Sequence, residues 1–354
     1  QQDVLYFGAN KLYRSFDKGD NWEVISGDLT TGGKPGNVPY GTLTTIHESP
    51  LKFGLLYSGS DDGLIHVTRD GGETWNRISD SLPQHLWVSR VQASAHERGR
   101  VFASLNGYRL DDFNAYVYVS HDYGQHWNRI GTALPAEPVN VIREDPVNEN
   151  VLYVGTDHNL YVSLDRGQTF QTLHPDYPHT PVHDLVVQPQ THDLLIGTHG
   201  RSIYKVNMSN VEKMTDEVLA SALFLFEIPK KRFSKNWGKQ EPYKEIKDPE
   251  LPVTFYAASV GSVKWKVQLK NTDVILNSGV LNCNKGLNEF VYNLEILPSA
   301  VKKYREALLN TKKDDKKPPE TVKADSGKYY LNKGSYTFTL EKDGVSVSAD
   351  LVIE

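Results

Sequence analysis

"VSHDYGQHWNRI", residues 119–130, sets a serine, an aspartate, a glycine and a tryptophan within eight positions (Ser120, Asp122, Gly124, Trp127). The same spacing returns in "RSFDKGDNWEVI" (Ser15, Asp17, Gly19, Trp22), "VTRDGGETWNRI" (Thr68, Asp70, Gly72, Trp75) and "VSLDRGQTFQTL" (Ser163, Asp165, Gly167, Phe170). The four aspartates lie 53, 52 and 43 residues apart, a period that belongs to repeat architectures. Four copies of one turn explain this better than four sites of identical chemistry.

Each copy sits between two short apolar runs, as a hairpin connection does. The aspartate is expected to accept hydrogen bonds from backbone amides about two residues on, with Ser or Thr as a second local acceptor. Glycine supplies a positive φ, and the aromatic enters the next strand to be buried between sheets. A calcium loop is excluded, because the ligand series closed by a glutamate at position twelve is missing.

Upstream of each turn lies a buried strand ending in small residues: "VLYFGA" (4–9), "LLYSGS" (55–60), "VFASL" (101–105), "VLYVGT" (151–156) and "LLIGT" (194–198). Before four of these comes another strand, within 41–50, 88–96, 139–146 and 182–189. Four short antiparallel strands per repeat is the pattern of a β-propeller blade. Units 41–81, 88–132 and 139–174 read as complete. Unit 1–30 starts at its second strand, and unit 182–207 stops after its third. The expected fold is therefore all-β: a partial propeller of about five blade units, first and last incomplete, over 1–207. Edges left open in this way imply further blades, from the same polypeptide or from a partner chain.

After Asn207 the pattern changes. Residues 208–250 read as a helix/strand linker, with Asn210 or Thr215 as a helix cap. Residues 251–354 read as an immunoglobulin-like β-sandwich, with one helix near 298–310 and the solvated run "TKKDDKKPPE" (311–320) inserted. Its clearest element is a hairpin in which Tyr336, Phe338 and Leu340 alternate against Val345, Val347, Leu351 and Ile353 around Asp343-Gly344.

Composition narrows the function. The 354 residues carry a net charge of −5 and a pI near 6.2, so there is no basic footprint for nucleic acid. A lone Cys283 excludes a disulfide framework and a cysteine zinc site. No apolar run reaches the ~18 residues of a membrane span. No cofactor motif appears, and an exported chain would be mature or truncated here, since no signal peptide is visible.

Loops between second and third strands share a face with the inter-blade connections, near the axis, where propeller function resides. They are 60–66, 106–116, 156–160 and 198–202, joined by 30–41, 81–90 and 174–184. Asp62, Asp112, Asp157 and Asp184 are the candidate carboxylates; a pair from different blades ~5–9.5 Å apart would suit glycoside hydrolysis. Trp87, Arg90, Tyr108, Arg109, His158, His183, His199 and Arg201 are the candidate ligand-binding residues. His174, His179, His183 and His199 lack the helical spacing of a zinc motif, so no metal is expected. No serine-hydrolase elbow occurs.

The box S-x-D-x-G-x-[ST]-[WF] resembles the Asp-box, or BNR repeat, of sialidases, xyloglucanases and sortilin (VPS10) luminal domains. Over 38–207 the sequence is similar to the C-terminal blades of large exported bacterial BNR-repeat proteins, described as glycosyl hydrolase-like or sortilin-like. The resemblance implies an extracytoplasmic location, whether secreted, periplasmic or associated with the outer membrane. It also implies a protein, peptide or glycan ligand and missing N-terminal blades. The box itself marks fold rather than chemistry. A sialidase arginine triad cannot be assembled here, and xyloglucanase-like enzymes divide acid and base between two propellers. Three readings stand: an interaction module, a glycoside hydrolase sharing its carboxylate pair with absent blades, and a structural subunit of a larger assembly.

Overall fold

The computed structural model describes residues 3–32, 41–173, 178–240, 242–243, 245–310 and 321–354. Most of the 30–41 connection, His174 and the 311–320 run fall outside these described residues. The chain forms two compact units, Gln1–Met214 and Thr215–Glu354, so the stretch read as a linker is shared between them.

The first unit is a series of small antiparallel sheets. Blade one has β1 (Leu5–Gly8), β2 (Leu12–Ser15) and β3 (Glu23–Val24). Blade two has β4 (Leu43–Glu48), β5 (Leu56–Ser60), β6 (Ile65–Thr68) and β7 (Asn76–Arg77). Blade three has β8 (Trp87–Ala93), β9 (Val101–Gly107), β10 (Asp112–Ser120) and β11 (Asn128–Ile130). Blade four has β12 (Val139–Glu144), β13 (Leu152–Thr156), β14 (Leu160–Ser163) and β15 (Gln171–Thr172). Blade five has β16 (Val182–Gln188), β17 (Asp193–Thr198) and β18 (Ile203–Asn207), followed by the one-turn helix α1 (Ser209–Glu212). Three full sheets between two three-stranded ones match the strand count read from the repeats.

The aspartate turns form as one motif with a longer reach than expected. The carboxylates of Asp17, Asp70, Asp122 and Asp165 accept from the amides of Asn21, Thr74, His126 and Thr169, four residues on rather than two. The hydroxyls of Ser15, Thr68, Ser120 and Ser163 accept from the glycine amides and donate to the aspartates. The longer span follows from two successive positive-φ residues, such as Tyr123 (64°) and Gly124 (89°), which curl the backbone beneath the side chain.

The same turns fasten neighbouring blades. Trp75 donates its indole N–H to the Ile25 carbonyl at 2.8 Å, and Trp127 repeats this on Ile78 at 2.7 Å. Phe170, which has no N–H, packs in the core beside Ile130. A Cβ on Gly124 would lie 2.3 Å from Ile78 Cδ1, and one on Gly167 2.8 Å from Ile130 Cδ1. Glycine here provides close approach as well as its φ. Strands β13 and β14 of blade four are wholly buried, whereas blade five leaves Val186, Leu195, Ile203 and Val206 exposed.

In the second unit Thr215 caps helix α2 (Asp216–Ala220). The strands are β19 (Leu223–Leu225), β20 (Leu251–Ala257), β21 (Gly261–Leu269), β22 (Ile275–Cys283), β23 (Gly286–Tyr292), β24 (Glu295–Ile296), β25 (Tyr329–Tyr330), β26 (Gly334–Lys342) and β27 (Val345–Ile353). A 3-10 turn at Pro298–Ala300 leads into α3 (Val301–Asn310). Sheets β19-β20-β23 and β22-β21-β26-β27 enclose one core that includes Phe255, Val267, Tyr292, Phe338 and Leu351. Trp265 stacks on Phe338, and Tyr336 donates its buried hydroxyl to the Asn332 carbonyl at 2.7 Å. Asp343 and Gly344 both take positive φ (49° and 82°), as a two-residue hairpin turn requires.

Candidate functional site

The loops expected to share a face do so. Asp62, in the β5–β6 loop, accepts from the amide and hydroxyl of Thr31, both at 2.7 Å, in the connection before blade two. The amides of Asp61, Asp157 and His199 reach the carbonyls of Thr42, Pro138 and Pro181 at 2.9–3.1 Å in the connections preceding their own blades.

A repeated irregularity shapes this face. The pairing of first and second strands slips once in blades two to five, between Leu43 and Thr45, Val88 and Arg90, Val139 and Val141, and Val182 and Asp184. Each slip leaves one extra residue: Thr44, Ser89, Asn140 or His183. Bulges of this kind re-aim side chains and occur beside functional sites. Thr44 donates its hydroxyl to the Val88 carbonyl, and Ser89 to the Val139 carbonyl, each at 2.7 Å and each on the next blade. Asn140 accepts from Asn106 and donates to Asp157. The His183 ring meets that of His199 edge-on at 5.4 Å. Sequence reading passed over Thr44, Ser89 and Asn140, although each directly follows the first branched apolar residue of its strand.

Four residues after that apolar residue, inner-strand side chains reach forward by one blade. His47 Nδ1 accepts from the Ala93 amide, Gln92 from the Glu144 amide, and Arg143 Nε donates to the Leu185 carbonyl. Arg90 departs from this nearest-neighbour rule. Its guanidinium crosses to Asp184, two blades on, at 2.8 Å, and Arg143 reaches the same Asp184 oxygen at 3.3 Å. Such a reach is open only where inner strands converge. Arg90 Nε is buried with no hydrogen-bond partner among the described residues.

Two guanidiniums on one carboxylate leave a local excess of positive charge. Burial, reinforced by Arg143 and Arg90, pushes His47 down to about 4, so it is neutral at pH 7. Burial and Arg143 also lower Arg90, against the pull of Asp184. On Trp87, in the same strand as Arg90, the Arg109 guanidinium sits 5.1 Å over the ring, a cation–π distance. The Trp87 indole nitrogen is buried and unpaired among the described residues. Tyr108 is exposed and meets Phe113 edge-on at 6.1 Å. Burial is the main influence raising the Asp61 carboxyl; the Thr42 amide opposes it and the Asp62 charge adds to it.

The remaining candidates divide by surroundings. Asp112 accepts from Asn114 and Tyr116. Burial raises its carboxyl, but those hydrogen bonds prevail and hold it below the usual range. His158, His179 and Arg201 are exposed on their loops. No group of three or more His, Cys, Asp or Glu arranged to hold a metal occurs among the described residues. No helix among them is long and apolar enough to cross a membrane.

A sortilin family model ("Sortilin, neurotensin receptor 3") matches residues 115–248. Vacuolar protein sorting/targeting protein 10 of Emericella nidulans is 33% identical over 89 residues, 25% of this chain and 6% of that protein. The chain thus spans a small fraction of that relative's length. Among solved structures, an ancestral GH74 enzyme aligns with a TM-score of 0.46 at 13% identity, covering 98% of this chain and 44% of its own. The GH74 xyloglucanase of Xanthomonas campestris gives 0.46 at 10% identity, covering 99% and 52%. YCF48 bound to D1 peptide gives 0.39 at 15%, covering 53% and 55%. The match to the sortilin model begins within β10 of blade three and runs past the end of blade five.

Proposed function

We propose that this chain is an extracytoplasmic interaction module, part of a larger sortilin-like BNR-repeat protein, which binds a protein, peptide or glycan on the axial face of its blades. One observation carries the reading: Arg90 bypasses the neighbouring blade to share Asp184 with Arg143. The result is a positively charged cluster where the inner strands meet, on the strand that also carries Trp87. Its polar groups are arranged for holding a ligand. Of the four carboxylates considered for hydrolysis, Asp62 is occupied by Thr31 from the connection before blade two, Asp112 by Asn114 two residues on, Asp157 is held by Asn140, and Asp184 is committed to arginine.

The second unit fits an immunoglobulin-like sandwich. Strands β19-β20-β23 face β22-β21-β26-β27, a three-plus-four division in Greek-key order. A tryptophan lies in the third strand, and a tyrosine near the start of β26 bonds back to backbone four residues upstream. It would act as a spacer or docking unit.

The test is selection of ligands from a peptide library and a glycan array by the whole chain and by Trp87→Ala and Arg109→Ala variants. Ligands lost in both variants but kept in an outer-rim control, Asp122→Ala, support the axial face. Ligands indifferent to Trp87 and Arg109, or release of new reducing ends from array glycans, would overturn the reading.

A further inference from the structure

The chain leaves blade five through α1, and that helix is tied back to blade four by buried polar groups. In the β12–β13 turn, Asn148 donates its side-chain amide to the carbonyls of Glu212 and Met214, both at 2.9 Å. Met208, Val211 and Met214 are buried. The Glu212 side chain is buried too, only 3% exposed, and its Oε2 meets Nδ1 of His192. His192 is set in the β16–β17 turn at a positive φ of 57°, and its carbonyl accepts from the Met208 amide. Glu212 Oε1 is buried with no hydrogen-bond partner among the described residues. A buried polar atom left in this state calls for a reason.

The surrounding charges supply one. Asp145, in the same turn as Asn148, is 0% exposed, and its charge acts on Glu212. As an anion Asp145 is fully satisfied: Oδ1 accepts from the Val147 and Asn148 amides and Oδ2 from the Tyr153 hydroxyl, at 2.8–3.0 Å. Tyr153 remains a donor, because burial and the two carboxylates push its hydroxyl well up. Two carboxylates in one buried site do not both stay ionised without a large penalty, so one of them takes a proton. The hydrogen bonds assign that proton to Glu212, whose Oε1 is bare. The neighbouring charges are engaged elsewhere: Glu144 on Arg100 and the Ala95 amide, Asp193 on Lys205. Lys213 is exposed. Burial first, and the Asp145 charge second, raise the Glu212 carboxyl above its ordinary 4.5, against the pull of His192.

We infer that Glu212 is a proton-operated latch: with a proton on Oε1 it holds residues 208–214 on blade four, and without that proton the segment is released. Docking binds a proton that the released segment gives up to solvent. For a group raised in the docked state, the stabilisation is complete below the ordinary value of 4.5 and is lost as pH rises through the docked value. Acid therefore tightens the latch, by at most about tenfold per pH unit. His47, which burial and two arginines lower, acts with the opposite sign and cannot imitate it. The latch is independent of what the axial face binds.

The test is hydrogen exchange of the 354-residue chain at pH 5, 6, 7 and 8, each rate divided by that of an unstructured peptide at the same pH. Segments covering 208–214 should gain about tenfold or more protection from pH 8 to pH 5, while β13 and β14 of blade four stay level. Glu212→Gln, neutral at every pH and still able to accept from Nδ1, should show the acid form's protection at pH 8 and no pH dependence. Asp145→Asn removes the facing charge and should move the rise in protection to lower pH. The inference is overturned if the parent's protection is flat or falls towards acid. It is overturned equally if Glu212→Gln keeps the parent's pH dependence, if that variant leaves 208–214 unprotected while β13 and β14 hold, or if Asp145→Asn leaves the rise where it was.

Discussion

Replacing His47 with glutamine separates a pH-dependent contribution from a structural one. His47 Nδ1 accepts the Ala93 amide at 3.1 Å, so its proton resides on Nε2. Protonation has to occur at the nitrogen already facing a donor, inside a group containing Arg90 and Arg143. The folded-state value near 4 lies below the unfolded value of 6.5. As pH falls below about 6.5 the unfolded chain binds the proton first, so stability declines between about 6.5 and 4 and levels off below. With 1.36 kcal/mol per unit, the loss is about 2 kcal/mol by pH 5 and about 3 kcal/mol by pH 4. Glutamine keeps the acceptor, as Gln92 shows one blade on by accepting the Glu144 amide at 2.9 Å. Hydrogen exchange of segments 43–60 and 87–107 in a urea series at pH 7, 5 and 4 reads this unit separately from the second. His66, also lowered to about 4 chiefly by burial, titrates in both proteins and cancels in the difference. The reasoning is refuted if His47→Gln loses as much stability as the parent from pH 7 to 4.

Four further outcomes follow from the first unit and the sandwich. Gly124→Ala combines a φ of 89° with a Cβ 2.3 Å from Ile78 Cδ1, and should cost about 2–4 kcal/mol in equilibrium unfolding. Gly32→Ala, also at positive φ but with nothing among the described residues within 4 Å of the added carbon, should cost about 1 kcal/mol by the same assay. Trp127→Phe keeps the ring but loses the 2.7 Å bond to the Ile78 carbonyl; a loss of about 1 kcal/mol in denaturant unfolding is expected. Tyr336→Phe removes the buried hydroxyl shared with Asn332 and Tyr304. It should lower the second unit's stability by about 1–3 kcal/mol, read as an earlier thermal transition with blade exchange unchanged.

The repeats made the strand count and the turns legible, because Ser/Thr-x-Asp-x-Gly is a local device whose partners lie within four residues. The Asp343-Gly344 hairpin was legible for the same reason. The axial arrangement was not, since its hydrogen bonds join residues about 40–95 positions apart. Arg90 and Asp184 were both picked out as loop-proximal charged residues, yet nothing local joins them across 94 positions. Arg143 and His47 escaped notice because they sit mid-strand, where a charged or titratable residue reads as a solvated face. The bulges escaped too: one extra residue in a strand leaves no compositional mark, and only the alignment of Thr44, Ser89, Asn140 and His183 across blades exposes it.

Blade junctions are fastened in opposite directions at the rim and near the axis. At the rim a side chain reaches back, from Trp75 to Ile25 and from Trp127 to Ile78. Near the axis side chains reach forward, from His47 to Ala93, Gln92 to Glu144 and Arg143 to Leu185. The junction between blades two and three is thereby held at both ends, so its stacking does not depend on apolar contact alone, and an inner-strand polar residue ordinarily has a structural task. This turns position into a criterion for function. A polar inner-strand side chain that serves the next blade is scaffold, however conspicuous its chemistry. One that bypasses its neighbour has been released from that task. By this criterion Arg143 is partly scaffold, tied to the Leu185 carbonyl through Nε while its other nitrogen touches Asp184. Arg90 answers to no adjacent blade in its charge pairing, so under the proposed function it, rather than the more numerous and more exposed histidines of the surrounding loops, is the residue to substitute first.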